Sequence, residues 1–266
     1  MIADFHHDFL TEANGDLSLF GRETVISVCA LFRGKRNVTE IFDWLEKYKK
    51  EHRKNQYLAL EDCGYLNEEL IEKIECYKPL CATLTWNLEN ELAGGCLSSA
   101  GLKKTGSELV KRFDKNGIFV DCAHLNEKSF YQVLEHTDKI VDSHTCCKEI
   151  CDHPRNLSFS QVKEIVLRGG LIGITFVGKF LKSEGQVSTE DVFIHTDTLV
   201  QKFGIQSFCF GSDFYGTEDL PSDLKNYFDA GNLRLHFENA GYKSKDIDAI
   251  FFQNLEKFVI KNNGMT

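Results

Sequence analysis

The sequence predicts an α/β protein that forms a single TIM-like (β/α)8 barrel. Short β-rich apolar segments alternate with amphipathic helical segments from one end of the chain to the other. Such alternation is typical of parallel strands joined by crossover helices. About eight of these units fill the 266 residues, which is the size and count of this barrel. A doubly wound open sheet is the alternative, although no Gly-x-Gly-x-x-Gly motif follows the first strand to support a dinucleotide fold.

Eight segments have the composition of strands: Ala3–Asp8, Tyr57–Asp62, Leu80–Trp86, Gly117–His124, Lys139–His144, Leu171–Val177, Gln206–Asp213 and Ile247–Asn254. Helices are predicted between them, at Asn67–Lys78, Ser107–Asn116, Ser129–His136 and Ser158–Arg168. The last is the best marked, because Ser158 can cap it and an apolar stripe follows at helical spacing. Gly169-Gly170 then ends it and leads into the next strand.

The remaining segments complete the predicted barrel. Thr24–Lys54 is expected to hold two helices, broken near Arg33-Gly34-Lys35. Lys179–Ser188 and Thr217–Asp223 have the composition of loops over one mouth of the barrel. The chain has no internal repeat, no low-complexity tract and only 3 Pro. We therefore expect one metal-dependent hydrolase barrel domain over residues 1–266.

Composition excludes several classes of protein. A net charge of -9 disfavours a nucleic-acid binder, since phosphate contacts need a basic surface. No apolar run approaches the roughly 18–20 residues that span a bilayer, and no secretory signal opens the chain, so no membrane partner is expected. Ten cysteines without such a signal indicate reduced thiols and a cytoplasmic location. Cys146, Cys147 and Cys151 lack paired Cys-x-x-Cys halves, so buried thiols are favoured over a zinc site.

Reactive side chains recur where the predicted strands end. They are His6, Asp8, Glu61, His124, His144 and Asp213. In a TIM barrel the carboxyl ends of the strands form the active-site face. A single histidine there is more often an ordinary hydrogen-bonded residue, and a lone Glu61 could complement the dipole of the next helix. Their recurrence at the same end of different strands indicates a shared site.

This set of residues suits a two-metal centre. Three neutral imidazoles and two carboxylates can hold two divalent ions if one carboxylate bridges them. Two such ions can share a hydroxide by lowering the pKa of water. Asp213 is then free to act as the general base and acid that transfers a proton to a leaving amine. The sequence therefore predicts a metal-dependent amide hydrolase.

The order of the motifs resembles the membrane (renal) dipeptidase family of zinc peptidases over nearly the whole chain. The similarity lies in Asp4-Phe5-His6-His7-Asp8, Leu60-Glu61, Thr83-Leu84-Thr85-Trp86-Asn87, Asp121-Cys122-Ala123-His124, Asp142-Ser143-His144, His153-Pro154-Arg155-Asn156 and Gly211-Ser212-Asp213-Phe214. Gln253-Asn254 stands where the family has a Gly-x-Asn element. The resemblance implies a TIM-like barrel, as the strand count does.

The resemblance also implies roles for individual residues. His6 and Asp8 would bind one Zn²⁺, His124 and His144 the other, and Glu61 would bridge them, although other divalent metals could serve. Asp213 matches the catalytic aspartate, and Arg155 would hold the free carboxylate of a dipeptide. The implied activity is hydrolysis of a dipeptide through a metal-bridging hydroxide. The resemblance implies a compact, bacterial-type member and leaves a homodimer open.

The sequence departs from the family pattern in three places, one of which is a pair of neighbouring residues. Trp86 stands where active peptidases usually carry a histidine that stabilises the oxyanion, and we expect it at the wall of the substrate pocket. Tyr215 and Asp62-Cys63 are the other two departures. An indole cannot carry positive charge, which would lower the rate. Because its bulk would also reshape the pocket, hydrolysis of a different small amide or modified peptide is an alternative. A non-catalytic binding protein of the same fold is another. Asp4 is predicted to support the ligands, and His7, on the opposite strand face, is not.

Overall fold

A closed barrel of eight parallel strands organises the protein, in a computed structural model that describes residues 2–18, 20 and 24–262. The strands lie in chain order, and the first pairs with both the second and the eighth. They are β1 (Ile2–His7), β2 (Thr24–Phe32), β3 (Gln56–Glu61), β4 (Cys81–Thr83), β5 (Phe119–Asp121), β6 (Ile140–Thr145), β7 (Ile172–Ile174) and β8 (Phe208–Phe210). The predicted TIM-like (β/α)8 barrel is confirmed.

Helices connect the strands around the outside of the barrel. They are α1 (Val38–Glu51), α2 (Glu68–Glu75), α3 (Lys104–Lys115), α4 (Glu127–Val133), α5 (Phe159–Leu167), α6 (Gly178–Leu181), α7 (Thr189–Phe203), α8 (Ala230–Asn239), α9 (Ser244–Asp248) and α10 (Asn254–Asn262). Ser158 caps α5 as predicted, since its side chain accepts a hydrogen bond from the backbone N–H of Gln161. Within residues 2–18, 20 and 24–262 no helix is both long and apolar enough to cross a bilayer.

The prediction of two helices over Thr24–Lys54 is wrong in its first half. The chain forms β2 there, turns at the predicted break near Gly34, and only then forms α1. All six residues from Ile26 to Leu31 are buried. A strand covered on both faces has a continuous apolar run, without the alternation that distinguishes a strand from a helix.

The predicted strand Ile247–Asn254 is also wrong, because this segment is helical. It runs from α9 through a π-helical turn at Ala249–Gln253 into α10. Ile247, Ile250, Phe251 and Leu255 are buried. Their spacing of three, four and eight residues places them on one helical face. The strand count of eight was right only because β2, which was missed, replaces this segment.

Several predicted strands are shorter than expected at their carboxyl ends. β4 stops at Thr83 and β5 at Asp121, so the residues that follow belong to loops. Lys179–Ser188, predicted as a loop, begins within α6. The shortening matters because it places candidate site residues on loops that a rigid barrel holds in position.

The buried residues form two groups. The larger lies between the strands and the surrounding helices. The smaller fills the barrel at the amino ends of the strands, where Phe258 of α10 packs against Phe5 and Phe119 with ring centroids 5.9 and 4.8 Å apart. This end of the barrel is therefore closed by side chains, and a site can open only at the carboxyl end. All ten cysteines are free thiols, and Cys146, Cys147 and Cys151 are buried as expected.

Candidate active site

The six residues predicted at strand ends do converge at the carboxyl end of the barrel. His6 lies in β1 and His144 in β6, Asp8 directly follows β1, and Glu61 is the last residue of β3. His124 and Asp213 each lie three residues beyond the end of a strand, on the loops after β5 and β8. The first five are at most 5% exposed. Charged groups so deeply buried need partners to offset their loss of hydration.

Two of these residues adopt backbone conformations that are uncommon for side chains other than glycine. His124 has φ of 71° and Asp213 has φ of 61°. The left-handed region is sterically costly for most residues, though Asp and His enter it more readily than others. The same holds for two of the departures from the family pattern, Asp62 (φ 61°) and Tyr215 (φ 71°). Asp62 is held by hydrogen bonds to Asn90 and Thr83.

Glu61 lies between two histidines, with one carboxylate oxygen directed to each. Its Oε1 is 2.8 Å from His124 Nε2, and its Oε2 is 3.6 Å from His6 Nε2. Asp8 Oδ2 is 3.5 Å from the same His6 nitrogen. One carboxylate therefore faces two separate sets of ligand atoms.

The histidine tautomers direct lone pairs into the site. His124 Nδ1 lies 2.9 Å from the Asn87 side-chain oxygen, which can only accept, so Nδ1 carries the proton and Nε2 has a free lone pair. His144 Nδ1 is 2.7 Å from the Ser143 hydroxyl. The Nε2 atoms of His124 and His144 then face each other at 3.1 Å. A cation beside them would be bound by both.

Two buried polar atoms at this site have no hydrogen-bond partner among the described residues. They are His6 Nε2 and Asp8 Oδ1. His6 is oriented by the Ser143 hydroxyl, 3.2 Å from its Nδ1. Leaving such atoms unpaired costs about 1–3 kcal/mol each. A divalent ion would satisfy both, and imidazole and carboxylate are ligands that zinc accepts.

The charges of the site point to the same need for a cation. Burial opposes the imidazolium of His6, but the adjacent carboxylates of Asp8 and Glu61 outweigh it and raise the pKa of His6 to about 10. Burial, then the charge of Asp8, raises the pKa of Asp213 to about 7. Burial also raises the pKa of Glu61 well above its usual value. The carboxylates are thus crowded and short of positive charge.

Side chains that could hold an ion together form three groups among the described residues. The first is His6, Asp8 and Glu61; the second is Glu61, His124 and His144; the third is His6, Asp121 and His144. Glu61 belongs to the first two. Asp121, which our site prediction did not include, already accepts hydrogen bonds from the backbone N–H groups of Ala123 and Ser143 at 3.1 and 3.0 Å. It therefore fixes the backbone that carries the histidines.

Asp4 and His7 behave differently, as predicted from the strand faces. Asp4 is buried and accepts hydrogen bonds from the backbone of His6 and Ser212 and from the hydroxyls of Ser212 and Tyr227. It ties β1 to the loop after β8 and so supports the ligands without joining them. The His7 ring stacks on Phe20 at 4.2 Å, and His7 belongs to none of the three candidate groups.

A cavity of about 260 Å³ opens above the histidines. Trp86 and Arg155, both predicted to contact substrate, line it. Trp86 is 45% exposed and its ring lies 6.2 Å from the ring of His124, so the indole faces the site. Arg155 is buried, and its Nη2 donates to His144 Nε2 at 2.7 Å.

Sequence reasoning missed several residues that shape this site. Asn87 and Ser143 fall inside the motifs but received no role. Gly216 also lines the cavity, and a Cβ there would lie 2.5 Å from a carboxylate oxygen of both Asp8 and Asp213. Only glycine therefore lets these two carboxylates approach the loop. No residue type or spacing signalled that contact, because it is created by folding.

Comparison with known proteins agrees with this geometry. Residues 8–263 match the family Membrane dipeptidase (Peptidase family M19). An uncharacterised protein of the Klebsiella pneumoniae pqqA 5′ region is 28% identical over 190 residues, which cover 66% of this chain and 69% of that protein.

Solved structures with the same fold include dipeptidase AC, a metallopeptidase of family M19, with a TM-score of 0.85, 17% identity and 98% of each chain covered. A metallopeptidase from Rhodobacter sphaeroides, liganded with a phosphinate mimic of the dipeptide L-Ala-D-Ala, has a TM-score of 0.80 at 17% identity over 98% of this chain and 99% of that one. The family match spans nearly the whole sequence, so this chain belongs to the membrane dipeptidase family (Peptidase family M19) and is a metal-dependent dipeptidase.

Proposed function

We propose that this protein hydrolyses the amide bond of dipeptides with two divalent ions, of which Zn²⁺ fits the donor set best. His6 and Asp8 would hold one ion, His124 and His144 the other, and Glu61 both. When bound, the ions would lower the pKa of water so that it attacks a carbonyl near neutral pH.

The position of Glu61 carries the proposal. Its two oxygens face His6 and His124 separately, and it is the residue shared by the first two groups of candidate ligands. A carboxylate between two sets of ligand atoms, with His6 Nε2 and Asp8 Oδ1 unpaired, is what a bridging ligand requires.

Asp213 is proposed as the group that moves the proton. It lies on the cavity wall beside Asp8 and is absent from the three groups of candidate ligands. Its carboxylate can accept a proton from the attacking water and return it to the leaving amine. Such a group works best with a pKa near the working pH, and the pKa of Asp213 is raised to about 7.

Arg155 is proposed to bind the free carboxylate of the second residue. It forms none of the ion pairs found among the described residues, although it is buried. Its hydrogen bond goes to His144 Nε2, the atom assigned here to an ion. An ion on that nitrogen would use its lone pair, so the guanidinium would be released to pair with a carboxylate in a bidentate manner.

Metal analysis and a substrate panel test this function together. We expect close to two zinc ions per chain and hydrolysis of some dipeptides, with panels that include both stereoisomers at the second position. Blocking the C-terminal carboxylate as an amide should remove the activity, because Arg155 would lose its partner. A fully metal-loaded protein that is inert towards the whole panel would contradict the proposal.

A second candidate function, hydrolysis of a different small amide, is favoured by Trp86. The indole stands on the cavity wall between His124 and Phe32, whose ring is 5.5 Å away. It narrows the site on that side and replaces a residue that could carry positive charge with one that cannot.

Replacing Trp86 with His distinguishes the two candidates. If dipeptides are the substrates, we expect kcat to rise on the order of tenfold or more, because an imidazolium stabilises a developing oxyanion better than an indole N–H. Trp86→Phe is the matched control, since it keeps an aromatic wall but removes the donor, and it should not raise kcat. Steady-state kinetics on a dipeptide make the comparison. An unchanged or lower rate in Trp86→His would favour the second candidate.

A further inference from the structure

One end of the cavity carries two cationic side chains, Arg155 and Lys179, whereas a single substrate carboxylate would pair with one. Arg155, Lys179 and His153 all line that end. They surround one buried ring, that of Phe180. The Arg155 guanidinium carbon is 5.3 Å from its centroid, the Lys179 ammonium is 5.6 Å away, and the His153 ring lies 4.5 Å from it at 32°.

The backbone holds Lys179 in this place. The N–H of Gly178 donates to the backbone oxygen of Asp219 at 2.7 Å, and the N–H of Lys179 donates to Asp219 Oδ2 at 2.9 Å. A Cβ on Gly178 would lie 2.4 Å from Asp219 Oδ1, so the close contact requires glycine. Two loops at the mouth of the barrel are thus joined, and the lysine is attached to a fixed rim.

Within residues 2–18, 20 and 24–262 neither cation forms a direct ion pair, and Arg155 acts only at longer range on the carboxylates of Glu61 and Asp213. Other cations of the described residues do have such partners: Arg33 pairs with Asp62, and Lys182 pairs with Asp191. Both positive charges also act on the neighbouring His153. Burial, and then the charges of Arg155 and Lys179, lower the pKa of His153. An anion bound beside Phe180 would be attracted by both cations.

We infer that this protein prefers dipeptides whose second residue is Asp or Glu, with Arg155 binding the C-terminal carboxylate and Lys179 the side-chain carboxylate. The inference rests on the proposed role of Arg155. The two carboxylates of an aspartyl or glutamyl residue belong to one residue, and the two cations lie around one ring, 5.3 and 5.6 Å from the centroid of Phe180. The carboxylates that also line the cavity, Asp8, Glu61 and Asp213, would repel an acidic side chain turned towards them.

Isosteric substrate pairs test this preference without changing size. We expect kcat/KM for Ala-Asp to exceed that for Ala-Asn by on the order of tenfold, mostly through a lower KM. This is the size of effect expected from one partly exposed ion pair between Lys179 and the substrate side chain. The same should hold for Ala-Glu against Ala-Gln. In Lys179→Met the Asp-to-Asn ratio should fall towards one. Lys182→Met, which removes the same charge three residues away, should keep the ratio, because Lys182 pairs with Asp191 and does not line the cavity.

A binding measurement makes the outcome independent of turnover. Ala-Asp and Ala-Asn can be titrated by calorimetry into metal-loaded protein carrying Asp213→Asn, with and without Lys179→Met. Tighter binding of Ala-Asp that depends on Lys179 supports the inference. Equal affinity for the two dipeptides, or a preference that survives Lys179→Met, overturns it. Hydrolysis of neutral dipeptides without an acidic preference would leave the proposed dipeptidase function standing, whereas a panel without any hydrolysis would overturn that function alone.

Discussion

Replacing Asp213 with Asn is expected to lower kcat by about 10³-fold, while the metal content of the protein stays unchanged. The carboxamide has the shape of the carboxylate but cannot accept the proton of the attacking water. Asn is also a good choice structurally, because Asp213 has φ of 61° and Asn tolerates the left-handed region. Steady-state kinetics and metal analysis of the same preparation measure the two effects.

Asp62→Asn provides a matched control for this change. Asp62 has the same φ of 61° and directly follows the proposed bridging ligand, but it does not line the cavity. We expect this variant to keep most of its activity. If Asp213→Asn loses metal together with activity, Asp213 acts as a ligand and its assignment as the proton carrier is wrong. If it keeps both, the proton is carried by another group.

Replacing Glu61 with Gln is expected to have the other large effect, on metal binding itself. Both proposed ions share this carboxylate, so one substitution weakens two sites at once. A neutral carboxamide also leaves more of the cations' charge uncompensated in a buried place. Metal content should drop from about two ions per chain to fewer than one after dialysis, and activity should fall at least 10³-fold.

Thermal unfolding gives a second measurement on the Glu61→Gln variant. An ion that binds only the folded protein stabilises it, so a chelator should lower the Tm of the unaltered protein. The variant should show little further shift. Glu12→Gln is the control, because Glu12 lies on the same cavity wall but pairs with Arg36 at 3.0 Å and belongs to no candidate metal group. Two ions retained in Glu61→Gln would show that Glu61 does not bridge.

The convergence of these histidines and carboxylates could be predicted because it depends on residue type and on position at the strand ends. Histidines and carboxylates at the ends of successive strands are brought together by the barrel whatever the details of each loop. The same reasoning placed Asp4 and His7 correctly, since neighbouring strand residues face opposite sides. The alternation of strands and helices was likewise enough to predict the barrel.

The errors in secondary structure came from two apolar segments, for different reasons. β2 is buried on both faces and so lacks strand alternation, and it was taken for helix. Ile247–Asn254 was taken for a strand although its apolar residues share a helical face. Strand ends were also misplaced. Polar residues such as His124 continue a strand-like sequence, yet the chain has already turned to the left-handed conformation there.

The sequence by itself determined the class of fold, the donor atoms available for metal and the family to which the chain belongs. Those properties follow from the periodicity of apolar residues and from the identity of polar ones. The tertiary structure alone decided which oxygen of Glu61 faces which histidine, that Trp86 faces the site, and that Gly216 admits two carboxylates. It also placed Lys179 beside Arg155. These are contacts between residues far apart in the chain, and their distances exist only once the barrel has closed.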